Sequence, residues 1–567
     1  MILQRTILER TETPELFYRR GKSDGSSLRL GQGESASFDT YFGCFSYPIY
    51  RKYTAVKNVI VSVTVSGDCY IELCLFDGER ETLIGKEAVL DGTAELEADI
   101  TALPDIGIIY PRVRAKSEAV IRKVEYHADV EQRDIRTAIA FCTYRREEAL
   151  KGNLKRLLSY KPLQTEKIFV IDNGGTLEGI ESERVSLIKN RNAGGSAGFT
   201  RGIIEARNAG FSHVILMDDD VEVFPESLER TVSLLSLLRP EYKGAHVSAA
   251  MLRSTRPTVQ HELGARLDGG RIVSLKNGLD MKSRRSLIEN LIDEGAQYGA
   301  WWCFALPLSD ADLHGLPMPF FIKFDDVEYG LRTVSEKAPV IAMNGVAVRH
   351  EDFDLKYSPH LEYYNIRNNL ITGTIHGRVG LREAISRLIK SVGKSILLYR
   401  YDTAELMMRA YGDFLSGAGC LSLIDPEALN REVMKSVPRA EKIDKRMLRL
   451  ELKHRKPSSL SKKAILFLTL GGHLLPSFLL EDTPSVTQYH VTSVGDVFLR
   501  RTSIQYKNGS EGYIYKRSFS RFLKCSARAF LLFFKAVFTF GRAKRSYLEA
   551  MPHLTSEDFW SDYLKLK

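Results

Sequence analysis

A chain of 567 residues is too long for one ordinary domain and long enough for three or four. With 44% apolar and 27% charged residues it is an ordinary folded protein rather than a disordered one, and no repeat of solenoid length is visible. Its net charge of +9 leaves nucleic acid, an anionic membrane and a phosphorylated ligand open as partners, whereas seven scattered cysteines with no CxxC pair exclude a disulfide framework and a thiolate zinc site. The opening MILQRTILERTETPELFYRR lacks the apolar core of a signal peptide, so a cytoplasmic location is the default expectation.

Residues 1–132 read as β. VKNVIVSVTVSGDCYIELCLFDG alternates apolar and polar residues and breaks at Gly67-Asp68 and Asp77-Gly78, which predicts turns between short strands. TAELEADI and SEAVIRKVEYHADV add two more alternating runs. A jelly-roll-like β-sandwich is the expected fold, with a carbohydrate-binding or a purely structural role.

The pattern changes over 133–375. TAIAFCTY is a nearly continuous apolar strand, EEALKGNLKRLLSY has helical spacing, and KIFVIDN, VSLIKN and HVILMDDD are further strands. Strands alternating with helices predict a Rossmann-like α/β domain with a mostly parallel sheet, whose ligands bind beyond the carboxyl ends of the strands. Those ends carry Thr143-Tyr144-Arg145, Asp172-Asn173, Asn190-Arg191-Asn192 and Asp218-Asp219-Asp220.

Residues 376–567 read as mainly helical, with a short β interlude within 488–519. Basic residues concentrate here, in KIDKRMLRLELKHRK and GRAKRSY, beside the apolar stretches 464–480 and 529–540. The two readings are helices that dock on an anionic membrane surface and helices buried in a C-terminal bundle.

Three adjacent carboxylates, Asp218 to Asp220, repel one another at the end of an apolar strand, and a divalent cation relieves that repulsion. In an extended run Asp218 and Asp220 point the same way and can share Mg²⁺ or Mn²⁺, with Asp219 facing elsewhere. Asn192-Ala193-Gly194-Gly195 precedes a helix, which suits a pyrophosphate or a sugar ring at a helix N-terminus; a tight turn with close helix packing is the alternative. Trp301 and Trp302 offer faces for sugar stacking or are core residues. Asp325 and Asp326, followed by Glu328, offer paired carboxylates for removing a hydroxyl proton, or an ion-paired helix start. His350 is a third metal ligand or a hydrogen-bonded structural histidine.

The order Thr-Tyr-Arg, Asp-Asn, Asn-x-Gly-Gly, Asp-Asp-Asp, Trp-Trp, Asp-Asp-x-Glu-Tyr-Gly and His-Glu-Asp-Phe resembles the bacterial galactofuranosyltransferases of glycosyltransferase family 2, nearest to those that polymerise galactan. The resemblance covers about 135–375 with specific motifs and the flanking domains in kind. It implies a GT-A catalytic domain and an inverting transfer of galactofuranose from UDP-galactofuranose to a glycan or lipid-linked glycan acceptor. It also implies roles. Arg145 and Asn192 contact the uridine diphosphate, Asp172 lies near the uracil or ribose, and Thr143, Gly194, Gly195 and Asp219 complete the donor site. Asp218, Asp220 and His350 hold Mn²⁺ or Mg²⁺, Trp301 and Trp302 line the sugar site, Asp326 is the base and Asp325 helps hold the acceptor. Peripheral contact with the inner face of the cell membrane and homo-oligomerisation are compatible with this reading. A nucleic-acid partner is not expected, because the sheet edge carries acidic clusters. The competing expectations are transfer of rhamnose or a hexopyranose by the same chemistry, and a non-catalytic carbohydrate-binding protein.

Overall fold

The computed structural model describes residues 1–9, 11–163, 165–353, 357–443, 460–488, 492–506 and 511–566. Most of the basic run KIDKRMLRLELKHRK lies outside the described residues.

Eight N-terminal strands form one hydrogen-bonded sheet: β1 (Ile2–Arg5), β2 (Lys22–Ser23), β3 (Leu28–Leu30), β4 (Ser35–Ser37), β5 (Asn58–Phe76), β6 (Glu81–Asp99), β7 (Ile108–Ala115) and β8 (Ala119–His127). Here the structure corrects the expectation of short strands. β5 and β6 each run 19 residues and pair along their whole length. Gly67-Asp68 is not a turn but a bulge in β5, where the register with β6 shifts and Gly67 takes a φ of +94°. The bulge divides the other edge of β5. Its first half pairs with β8 and its second half with β7, so the two halves of the sheet belong to different strand sets. The hairpin from β5 to β6 turns at Asp77, as the sequence suggests.

The second sheet contains β9 (Thr137–Thr143), β10 (Lys167–Asp172), β11 (Val185–Lys189), β12 (His213–Asp218), β13 (His246–Ser248), β14 (Cys303–Pro307) and β15 (Val340–Ile341). Its order is β11-β10-β9-β12-β14-β13-β15. Pairs among β9 to β12 are parallel and those of β14 are antiparallel. The chain steps outward from β9 to β10 and β11 and then returns to lay β12 on the other side of β9. That reversal opens a crevice outside the carboxyl ends of β9 and β12.

These strands read as continuous apolar runs because both faces of the sheet are covered. Ile139, Phe141, Ile215 and Met217 point into one core, which continues into the N-terminal sheet. Ala138, Ala140, Val214 and Leu216 point into another, which continues into the C-terminal helices. The second sheet is therefore the middle layer, and the C-terminal region adds one small cluster of its own, Ile443, Val486 and Ile504.

Helix α1 (Glu147–Ser159) follows β9, and α2 (Gly194–Asn208) follows β11. Gly198 and Gly202 of α2 lie four residues apart because that face lies against β9. A Cβ at Gly198 would sit 2.1 Å from Cys142 Sγ, and one at Gly202 would sit 2.6 Å from Ala140 Cβ. Further on lie α3 (Asp325–Thr333), α4 (His360–Ile375), α5 (Tyr401–Leu415), the 36-residue α6 (Phe519–Leu554) and α7 (Glu557–Leu564). Trp560 of α7 is fully buried and donates its indole N–H to Pro317 O at 2.9 Å, which pins the C-terminus to the central domain. The C-terminal region also holds a four-stranded sheet built from residues 441–442, 485–488, 502–506 and 511–516.

Gly198→Ala should lower stability by ~1–3 kcal/mol through overpacking. Urea unfolding checks this, and adding Cys142→Ala should recover part of the loss. A Gly198→Ala protein as stable as wild type would show that α2 can move off β9.

Candidate active site

The crevice at the switch point is organised by the turn after β12. The strand ends at Asp218, so Asp219 and Asp220 lie in a turn and not in the extended run that strand alternation assumes. The separation of roles nevertheless arises, by hydrogen bonding. Asp219 turns inward, where Thr143 at the end of β9 donates its hydroxyl to Asp219 Oδ2 at 2.8 Å and Arg146 reaches Asp219 Oδ1 at 3.3 Å. Asn153 of α1 donates to the carbonyls of Asp219 and Val221 at 3.2 and 2.7 Å and fixes the turn from below. Burial pushes the Asp219 carboxyl above its usual range, against the pull of Arg146 and Thr143.

With Asp219 so held, Asp218 and Asp220 face His350. The ligand atoms of these three residues all lie within 4.8 Å of one another. His350 ends a strand (Ala347–His350) that pairs in parallel with Ala250–Arg253. Its Nδ1 lies 2.6 Å from Glu351 O, which can only accept, so the proton sits on Nδ1 and Nε2 is left facing Asp220 Oδ1 at 3.3 Å. Two carboxylates and an imidazole nitrogen with its partner nitrogen oriented fit Mn²⁺ or Mg²⁺ by donor chemistry. Arg146 contacts Asp219 and Asp220 in this structure and supplies part of the charge balance that a cation would provide.

Asp325 and Asp326 begin α3. The two residues before them, Lys323 and Phe324, both hold left-handed backbone, at φ of 69° and 70°, a local strain that aims the helix start. Burial is the main cause that raises both carboxyls. Repulsion from Asp326 adds to the rise at Asp325, whereas the Val327 N–H and Lys323 limit it at Asp326. The glycine-rich turn faces this pair: a Cβ on Gly195 would meet nothing but Asp325 Oδ2, at 3.9 Å. Glu328 belongs elsewhere. It is fully buried in a two-bonded ion pair with Arg332, both contacts at 2.8 Å, with His376 at 3.2 Å.

Several expected ligand residues have structural work instead. Asp172 is 0% exposed, and its oxygens accept from the amides of Gly174, Gly175 and Leu177 at 2.8–2.9 Å, so it shapes the loop after β10 and presents no free oxygen to a uracil. Gly194 is required by packing, since a Cβ there would lie 1.7 Å from Phe321 O. Trp301 and Trp302 are 4% and 5% exposed. Trp301 packs edge-on against Phe199 and Tyr329, and Trp302 donates its N–H to Ala249 O and lies against Phe353, which in turn covers His350. Both indoles are floor and wall, not open stacking faces. Asn192 Oδ1 accepts from Gly194 N at 3.3 Å, and Arg145, at φ of 56°, is exposed with its guanidinium over Tyr144. Arg191 turns away to the C-terminal region, where it donates to Tyr563 O at 2.6 Å and pairs with Asp425.

Sequence reasoning missed Glu262, Arg146 and Lys323. Glu262 is buried, faces Asp326 and Lys323, and is pushed up to about 7 by burial. Its only sequence signal is that Gln260 and Glu262, both inward positions of one short strand, are polar.

Residues 5–129 match the family described as Galactofuranosyltransferase 2 N-terminal, and residues 138–244 match Glycosyl transferase family 2. The galactofuranosyltransferase GlfT2 of Mycolicibacterium smegmatis is 24% identical over 69% of this chain and 66% of its own length. GlfT2 of Mycobacterium tuberculosis is 25% identical over 73% of this chain and 71% of its own. The match thus spans about two thirds of these relatives. Among solved structures, mannosyl-3-phosphoglycerate synthase of Rubrobacter xylanophilus is 13% identical with a TM-score of 0.28, over 43% of this chain and 76% of that one, too slight a likeness to carry an argument.

An acid whose folded pKa is raised loses stability as pH rises from its unfolded value, near 4, towards the folded one. Asp325→Asn cannot ionise, so in chelated protein it should raise Tm relative to wild type more at pH 8, where the raised Asp325 carboxyl begins to lose its proton, than at pH 5. An equal difference at both values would show that the pair is not charged at a cost.

Proposed function

From a chain that is homologous to the GlfT2 galactofuranosyltransferases and carries a glycosyltransferase family 2 domain, we propose an inverting, metal-dependent GT-A enzyme. It moves galactofuranose from UDP-galactofuranose to a hydroxyl of a glycan or lipid-linked glycan. The observation that carries this reading is the meeting of two acidic groups at one sheet edge. Asp218 at the end of β12 and Asp220 in the turn after it meet His350, and Asp325, with Asp326 next to it in α3, lies across the glycine-rich turn.

A divalent cation held by Asp218, Asp220 and His350 would neutralise the diphosphate leaving group. Asp326 accepts the proton of the acceptor hydroxyl as its oxygen attacks the anomeric carbon. The bond from that carbon to the diphosphate breaks on the opposite face, and the configuration inverts. Asp326 suits the base role because Lys323 and the Val327 N–H favour its ionised form. Asp325, pushed higher, keeps its proton and can donate to the acceptor. Arg145, exposed beside the turn, suits the diphosphate. Asn192, Gly194 and Gly195 form the backbone cradle at the start of α2, and Thr143 and Asp219 act by holding the metal turn in place.

The helical C-terminus supports peripheral binding to an anionic membrane. Among the described residues no helix is long and apolar enough to cross one. One stripe of α6, with Phe522, Leu532, Ala536 and Phe540, is buried, while Phe530, Leu531, Phe534 and Phe538 stand exposed, Phe538 at 80%. Lys524, Arg528 and Lys535 lie beside them on the solvent side. An apolar row flanked by cations fits a headgroup interface better than a water-facing helix.

Donor-dependent UDP release with Mn²⁺ and a galactofuranosyl acceptor should be selective for UDP-galactofuranose over UDP-galactopyranose, UDP-glucose and dTDP-rhamnose, and EDTA should abolish it. Asp326→Asn should reduce turnover ~10²–10⁴-fold and leave UDP binding intact. Turnover of another donor instead would reject the sugar, and wild-type rates in Asp326→Asn would reject the base. Phe534→Glu with Phe538→Glu should reduce cosedimentation with phosphatidylglycerol vesicles at unchanged Tm. Equal binding by this variant would remove α6 as the docking face.

A further inference from the structure

A recess of about 680 Å³ lies where the N-terminal sheet meets the central domain, away from the residues assigned to transfer. Its wall is a cross-strand pattern. Ser35 and Ser37 of β4 stand opposite Arg114 and Arg112 of β7, which stand opposite Tyr70 and Glu72 of β5. Alternate residues such as Ile71, Leu73 and Val113 are buried, so these six share the outward face. The other wall is the segment 282–285 of the central domain, held in place by Arg19, which donates to Lys282 O at 2.7 Å.

The charges are unequal. Arg19 and Arg284 pair with Asp39, Arg112 and Arg114 with Glu72, and Arg112 and Arg284 also with Glu81. Those carboxylates hold four guanidinium groups in fixed orientation. Arg20 and Arg285 also line the recess, are exposed, and have no carboxylate partner among the described residues; Lys282 has one only at 3.9 Å. Seven cations thus face four carboxylates, Asp39, Glu72, Glu81 and Asp280. Guanidinium groups held in place with spare N–H donors match carboxylate or phosphate oxygens, and the two serines offer hydroxyls of the kind that pair with sugar hydroxyls.

Position and shape narrow the partner. The recess is concave, unlike a membrane-binding face. The exposed aromatic on this face, Tyr70, has its ring covered by the ammonium groups of Lys86 and Lys116 at 4.3 and 4.2 Å, which takes away a stacking platform for bases. The segment that carries Lys282 is hydrogen-bonded to the strand that carries Glu262, through Met281 N to Thr258 O at 2.8 Å and Gln260 N to Leu279 O at 2.9 Å.

We propose that this recess is a second carbohydrate site, which binds the acidic part of a glycan chain through its carboxylate or phosphate groups. It rests on the transferase reading only in taking that glycan to be the acceptor; binding itself requires no transfer. The test is calorimetric titration of the full chain, without a nucleotide sugar, with hexagalacturonate and with a neutral galactofuranosyl hexamer. Hexagalacturonate should bind and the neutral hexamer should not compete. Arg20→Ala with Arg285→Ala, which leaves every carboxylate its partners, should weaken binding roughly tenfold. Lys524→Ala with Arg528→Ala, an equal loss of charge on α6, should leave it unchanged. Competition by inorganic pyrophosphate supports the site with phosphate as the anion, and no competition supports it with carboxylate. Equal weakening by both double variants, equal binding of the neutral hexamer, or tighter binding of oligo-dT at Arg20 and Arg285 overturns the proposal. UDP release in the same variants reads the transferase separately, so either idea can fail alone.

Discussion

The hydrogen bond from Thr143 Oγ1 to Asp219 Oδ2 joins the carboxyl ends of β9 and β12 across the point where the strand order reverses. Three adjacent carboxylates cannot all face one cavity without strong repulsion. Drawing the middle one inward, onto a buried hydroxyl and Arg146, leaves its neighbours to converge on His350. Asn153 then holds the carbonyls of Asp219 and Val221, so the position of two candidate metal ligands depends on hydrogen bonds made by their neighbours in the turn.

The second acidic pair depends on packing of another kind. Asp325 is buried and Asp326 half-buried at a helix start, and the left-handed backbone of Lys323 and Phe324 delivers them there. Gly194 permits the backbone of the glycine-rich turn to touch Phe321, which brings Gly195 opposite Asp325. The glycines of α2 thus serve close approach on one side and open space on the other. Both properties come from the absence of a Cβ.

The three regions are coupled because the central sheet buries both faces. Ile139 and Phe141 share a core with the N-terminal sheet, and Ala138 and Ala140 share one with the C-terminal helices. Alternation along a single strand therefore links a β layer, the candidate site and a helical layer. Removing either flank would expose one face of the sheet that holds Asp218. The flanks are part of what positions the site, whatever they bind on their outer surfaces.

Much of this was legible in the sequence. Apolar runs such as TAIAFCTY and HVILMDDD mark buried parallel strands because only a sheet covered on both faces lacks alternation. The polar residues that end them, Thr143 and Asp218 to Asp220, mark the binding edge. What the sequence could not decide is which way each polar side chain turns. Asp172 and Glu328 carry the same carboxylate as Asp220 and Asp326, yet loop amides satisfy the first and Arg332 the second. Trp301 and Trp302 look like sugar platforms until neighbouring elements bury them. The long β5 was hidden because Gly67-Asp68 reads as a turn, and only cross-strand pairing shows it to be a bulge. Glu262 gave almost no local signal, since its meaning depends on Asp326, distant in sequence. Periodicity and strand ends are local properties, so the sequence determined the layers and the edge. Hydrogen-bond partners and burial depend on residues far apart in the chain, so only the tertiary structure decided which polar groups remain free for chemistry.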